Sequence, residues 1–306
     1  MSLIRELSRP PVVVHHMAAV DGSPYPQNSL EAIRASLEAG AQIIEVDITA
    51  LADADYLLVH DPVLEAETDG AGPVRETSSE TARNLKIRTK TSMTPYHAAL
   101  LSDVVQIFLE FGGQAQLQLD FKDVVPFTND EPLRRLVQLV EPLGDRITVS
   151  SGADWQLRKL RRLAGWLRLG FDVQNYIDSQ PPSAHVGQAT LPQRQGAYGY
   201  WDDHPLATGC YLPVADYLAE RCAALIELVP DVSVFYLNYR LIARSLQDGF
   251  NWVTALHQSN IALDAWTMDA DKPEAVEALP LLLSAGVDLI TTNTPQAMQK
   301  LIAQYL

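Results

Sequence analysis

The alternation of elements along this chain predicts an α/β fold of the (β/α)8 TIM barrel class, and three observations carry that prediction. Eight short apolar or β-branched runs alternate with helical patterns within 306 residues, the arithmetic of eight βα units in one domain spanning 1–306. Residues able to do chemistry sit at or near the C-terminal ends of several of these runs: His15 and His16, Glu45 and Asp47, Asp120 and Lys122, and Trp266. That rim is where barrels of this class place their active sites. The composition, 47% hydrophobic and 20% charged, is that of a globular chain long enough to bury a large core. A doubly wound sheet is the alternative that the same alternation allows.

Taken in order, residues 11–14 form a β-branched run ending at His15 and His16, and a helical pattern with Asn28 or Ser29 near its N-cap follows to Gly40. The second strand, 43–48, carries Glu45 and Asp47 at i and i+2. Side chains alternate along a strand, so both carboxylates share one face. Too little chain separates Asp47 from His60 for a crossover helix, and residues 53–55 read as a turn, so residues 56–60 fold back as a short antiparallel arm. With the bend centred on Ala54, His60 lands level with Ile48, beside Asp47. Residues 62–98, rich in Gly, Pro, Thr and Ser with one short helical stretch at 79–85, make a long excursion over one end.

A helix from 98 to 111 leads into an alternating strand, 114–122, in which Asp120 and Lys122 share a face. Helix 131–143, strand 147–151, helix 155–163 and strand 167–171 continue the rhythm. It breaks at residues 172–211, an aperiodic insertion rich in Gln, Pro, Gly and aromatics. A helix, strand 232–237, helix 241–258, strand 261–267, helix 273–284, strand 289–291 and a last helix from Pro295 complete the eight units.

Two carboxylates and an imidazole in one place suit a hard divalent cation held by oxygens, with a histidine poised for proton transfer. The same spacing also fits two solvated acids and a core histidine. The net charge of −15 argues against a nucleic-acid partner and against stable anchoring on an anionic membrane. An anionic small-molecule substrate would need a local cation to offset that field. Cys210 and Cys222 are the two cysteines, a number that suits a chain independent of disulfides. No apolar run is long enough to span a bilayer and no charged-then-apolar leader opens the sequence, so the expected location is the cytoplasm.

At this point the residues carry a resemblance. Residues 14–17 (VHHM), 26–29 (PQNS), 40–47 (GAQIIEVD), 60–62 (HDP), 120–122 (DFK), 265–267 (AWT) and 293–295 (NTP) resemble, in order and spacing, the motifs of the glycerophosphodiester phosphodiesterase family. The resemblance implies a barrel, a divalent metal such as Mg2+ or Ca2+, and cleavage of small-molecule phosphodiesters such as glycerophosphocholine to glycerol phosphate and an alcohol. It implies metal ligation by Glu45, Asp47 and Asp120, with Asp120 standing where the family usually has a glutamate, and a phosphate-facing role for Lys122. His60 matches the second catalytic histidine, and the first aligns with His15 or His16, of which His16 is preferred because Met17, Ala18 and Ala19 then fit the positions after it. Trp266 matches an aromatic residue lining the substrate pocket.

Two departures stand out. Gln27 replaces a family glutamate, and Met17, or His16 in the other register, replaces an arginine. The pattern around His16 and Asp120 is also similar to the sphingomyelinase D and phospholipase D enzymes of the same superfamily, which manage with three carboxylates. An enzyme of that kind, releasing a cyclic phosphate, is one alternative. A barrel that binds a phosphorylated ligand without catalysis is the other.

Overall fold

A computed structural model describes residues 10–53, 55–181 and 194–305. Eight parallel strands form the barrel: β1 (Val12–His15), β2 (Ile43–Ala50), β3 (Gln116–Phe121), β4 (Ile147–Ser151), β5 (Arg168–Asp172), β6 (Val234–Asn238), β7 (Ala262–Trp266) and β8 (Leu289–Thr292). Each pairs with the next in sequence, and β8 pairs with β1, which closes the ring. Helices connect the strands, so the expected (β/α)8 class is the observed one. Among the described residues no helix is long and apolar enough to cross a membrane.

The chain divides into two compact units, one running from His15 to Leu169 and the other holding the start of β1 and the chain from Gly170 onward. In the first unit, Ile44, Val46, Ile48, Leu117, Leu119 and Val149 are fully buried on alternating positions of β2, β3 and β4. The intervening positions put Glu45 and Asp47 on the opposite face, where they are buried as well. The register sets Asp47 beside Asp120 and Asp120 beside Ser150.

The returning arm differs from expectation. Its ladder is only Tyr56–Leu57, with Leu57 opposite Thr49 and Tyr56 opposite Ala50, a register two residues away from that of a bend centred on Ala54. Ala54 itself lies outside the described residues. The arm leaves β2 because Leu58 donates instead to the Ala99 carbonyl, 2.9 Å away, and Thr49 Oγ1 takes the Val59 carbonyl at 3.0 Å. His60 is therefore carried past the end of the ladder rather than held in it.

The excursion that follows is a packed element. Lys86–Arg88 pairs with Met93–His97 as a hairpin, and Leu64, Val74, Ala82 and Ile87 share a small core with Leu51, Leu57, Val59, Ala98 and Leu100. The short helix is Ser79–Ala82, capped by Ser78, and the next helix begins at Leu101 rather than residue 98. The hairpin was hidden in sequence because its Met93–His97 strand is largely exposed and carries Pro95.

In the second unit, β6 and β7 pair from Val234–Ala262 to Asn238–Trp266, and β7 pairs with β8. The helix expected over 241–258 is two helices, Tyr239–Gln247 and Trp252–His257. The break is at Gly249, whose φ of 88° no helix accommodates, and Asn251 then caps the second helix through Thr254 N. Of the inserted segment 172–211, residues 182–193 lie outside the described residues. Its last part is tied down by Asp202, which accepts from Tyr217 Oη at 2.6 Å and pairs with the buried Arg221 at 2.7 Å.

Candidate active site

The site is built on two adjacent strands of the first unit. Glu45 and Asp47 point to one face of β2, and the parallel register brings Asp120 on β3 alongside. Carboxylate oxygens of all three lie within 4.8 Å of one another. Asp47 is fully buried and Glu45 is 2% exposed. Lys122, two residues beyond Asp120 on the same face, places Nζ 2.5 Å from Asp120 Oδ2 and 3.0 Å from Asp47 Oδ1.

The loops after β1 and before the first helix complete the wall. Met17 and Ala18 adopt left-handed conformations, φ 50° and 58°, and the Met17 N–H is thereby aimed at Glu45 Oε2, 2.7 Å away. His16 Nε2 is 3.9 Å from the same oxygen. His15 takes the other side of the chain, buried with Nδ1 3.3 Å from Ser36 Oγ on helix Leu30–Glu38, and burial lowers its pKa. Asn28, also left-handed at φ 58°, donates from Nδ2 to Asp47 Oδ2 at 3.0 Å and accepts from the Asp47 N–H at 3.3 Å. Ser29 follows at once as the helix N-cap, accepting from Ala32 N and donating to the Pro26 carbonyl. Gln27 is exposed and donates to the His16 carbonyl at 3.4 Å.

Burial and crowding set the electrostatics. Desolvation, then Asp47 and Asp120, push the Glu45 carboxyl well above the usual carboxylate range. Burial works in the same direction on Asp47, but Lys122, His60 and His16 outweigh it and hold Asp47 low. Burial disfavours the Lys122 ammonium, yet Asp120, Asp47 and Glu45 outweigh it and raise its pKa. With every group ionised, three carboxylates and one ammonium leave a charge of −2, and Glu45 Oε1 is buried with no hydrogen-bond partner. An oxygen set of that charge, two of its three carboxylates buried, fits a hard divalent cation.

His60, at the mouth of the excursion, is half-buried, and Nδ1 lies 2.8 Å from Asp61 Oδ1. Its charge reaches Asp47. Trp266 closes β7 in the second unit, half-buried, with Nε1 lacking a hydrogen-bond partner. Asn28, the Met17 N–H and Asp61 were not singled out as site residues. Asn28 and Asp61 do lie inside the motifs at 26–29 and 60–62, whereas a backbone N–H leaves no trace in residue identity.

Residues 21–198, more than half of the chain, match the model of the glycerophosphoryl diester phosphodiesterase family. The chain belongs to that family. Membership makes it a phosphoric diester hydrolase, a glycerophosphodiester phosphodiesterase-like enzyme. It is 23% identical over 286 residues to the glycerophosphodiester phosphodiesterase of Caldanaerobacter subterraneus subsp. tengcongensis, covering 92% of this chain and 94% of that one. Among solved structures it is similar to a glycerophosphodiester phosphodiesterase from Parabacteroides distasonis, with a TM-score of 0.66, 17% identity, and coverage of 96% and 98%. It is also similar to an Oleispira antarctica phosphodiesterase in complex with its product sn-glycerol-3-phosphate, with a TM-score of 0.62, 16% identity, and coverage of 96% and 97%. At these identities the two structures establish the shared barrel fold.

Proposed function

We propose that the enzyme hydrolyses glycerophosphodiesters to glycerol phosphate and an alcohol, using a divalent ion bound by carboxylates and proton transfer by two histidines. The observation that carries this reading is the trio Glu45, Asp47 and Asp120, the first two buried and Asp120 half-buried, with Glu45 Oε1 left unpartnered. The curated relative's name and the glycerol phosphate bound in the Oleispira antarctica structure support the substrate class.

Glu45, Asp47 and Asp120 would hold the ion, Mg2+ or Ca2+, which when bound supplies Lewis-acid stabilisation of charge on a nonbridging phosphoryl oxygen. Asn28 and the Met17 N–H hold Asp47 and Glu45 in place. Lys122 offers its ammonium to the charge that grows on the phosphoryl oxygens, drawing on the position it now shares with Asp120 and Asp47. His16, rather than the enclosed His15, faces the carboxylate cluster and takes one proton-transfer role; His60 takes the other. His15 supports the helix beneath. Gln27 donates to the His16 carbonyl, and Trp266 keeps the substrate-binding role that its place in the family motif implies.

The test measures glycerol phosphate or cyclic phosphate released from a panel of glycerophosphodiesters and lysophospholipids, with Mg2+, Ca2+ or chelator. Turnover is expected only with metal. His60→Ala is expected to lower kcat by about 10²–10⁴-fold with little change in KM. A folded, metal-supplied protein with no turnover on any diester, or a His60→Ala variant as fast as the parent, would sink this reading. A cyclic product would move the reaction to intramolecular attack by a substrate hydroxyl.

A further inference from the structure

His60 is the site residue whose placement the barrel explains least. It lies past the end of the two-residue ladder that carries the chain back from β2. A carboxylate seven residues further on reaches its backbone. One carboxylate oxygen of Glu67, Oε1, accepts the N–H groups of both His60 and Asp61, each at 2.8 Å. Those two residues form their own pair, with Asp61 Oδ1 2.8 Å from His60 Nδ1. Two N–H groups converging on one charged acceptor make a stronger and more directional clamp than either would make with water.

Glu67 is itself held. Its N–H bonds the Leu64 carbonyl at 3.3 Å, and its carbonyl accepts from Arg88 N at 2.7 Å, on the first strand of the excursion's hairpin. Arg88 Nε binds the neighbouring Thr68 carbonyl at 3.0 Å, and Thr68 is fully buried. At the other end of the hairpin Tyr96 meets Tyr25 edge to face at 5.7 Å, in the loop that leads to Gln27 and Asn28. The hairpin thus braces both loops that feed the site, and Glu67 is its link to His60.

We propose that Glu67 is a positioning residue for His60, resting on the two-histidine reading above. By clamping the backbone of His60 and Asp61 it keeps Asp61 on Nδ1, so that the neutral imidazole carries its proton on Nδ1 and presents Nε2 for proton exchange. Glu67 acts through the backbone N–H groups of His60 and Asp61.

Two variants of the full chain test this. E67M fills the same space without an acceptor, and E67Q keeps an accepting oxygen without the charge. The expected result is a kcat lowered about tenfold or more in E67M with KM within about twofold, and recovery to within about threefold of the parent in E67Q. An independent readout is the tautomer of His60 in the uniformly 15N-histidine-labelled parent, assigned by loss of its signals in H60Q. The Nδ1–H form is expected in the parent, and a mixture of tautomers in E67M. An Nε2–H tautomer in the parent overturns the proposal even if E67M fails to fold, as does an E67M enzyme with parental kcat and an unchanged tautomer. If the parent turns over no diester, the proposed reaction fails while the tautomer still decides the role of Glu67.

Discussion

Lys122 answers to two demands at the level of single residues. Its ammonium offsets part of the charge of Glu45, Asp47 and Asp120, and in the proposed reaction the same ammonium meets a phosphoryl oxygen. Leaving any one of these buried charges unpaired is costly, which is why the four residues act as a set. The chain carries a neutral Gln27 where the family motif has a glutamate, so the cluster has one carboxylate fewer to offer a cation. Gln27→Glu is expected to tighten divalent-ion binding about tenfold, read by titration calorimetry with Mg2+ and Ca2+, because one added charge at close range is worth about 1.4 kcal/mol. Unchanged affinity would place residue 27 outside the reach of the ion.

Elements supply what single residues cannot. Helix Leu30–Glu38 starts where Ser29 caps it, and that same turn holds Asn28 in the left-handed conformation from which it reaches Asp47. Ser29→Ala removes the acceptor for Ala32 N and the donor to the Pro26 carbonyl in a fully buried position. A loss of about 1–2 kcal/mol in urea unfolding is expected, together with weaker metal binding as Asn28 loosens. Full retention of both would mean that Asn28 is held without the cap. In the second unit the buried Arg221 is satisfied by Asp202, which also accepts from Tyr217. Asp202→Ala should therefore cost about 3–5 kcal/mol of thermal or denaturant stability, since it leaves a guanidinium buried without its charge partner.

For the molecule as a whole, pH and metal ion are the two levers. Asp264 on β7 is wholly buried with one oxygen on Thr291 Oγ1 at 2.9 Å and the other unpartnered, and burial pushes its carboxyl up to about 7. The folded state then keeps a proton that the unfolded chain has released. Its contribution to stability is full below about pH 4, where an unfolded aspartate is protonated, and is lost as pH rises through 7. Asp264→Asn is expected to narrow the difference in unfolding free energy between pH 5 and pH 8 by about 2.6 kcal/mol. An unaltered pH profile would show that Asp264 is ionised in the fold. A divalent ion at one hundred times its Kd should stabilise the folded protein by about 2.7 kcal/mol, and most of that shift should vanish in Glu45→Gln. A melting temperature indifferent to metal would argue against the carboxylate trio as an ion site.

The eight-unit alternation and the paired acids were written locally. A period of two places Glu45 and Asp47 on one face whatever the rest of the chain does, and apolar runs broken by helical patterns require a barrel or a doubly wound sheet. Closure of the ring, the neighbourly register of Asp47 and Asp120, and the turning of His16 toward Glu45 with His15 against Ser36 depended on contacts between segments far apart in sequence. The register of the arm was misjudged because Leu58 had a distant competitor, the Ala99 carbonyl, that no local pattern announces. The hairpin and Glu67 were invisible for the same reason. A carboxylate accepting two backbone N–H groups looks, in sequence, like any surface glutamate, and only the folded chain decides which donors it meets.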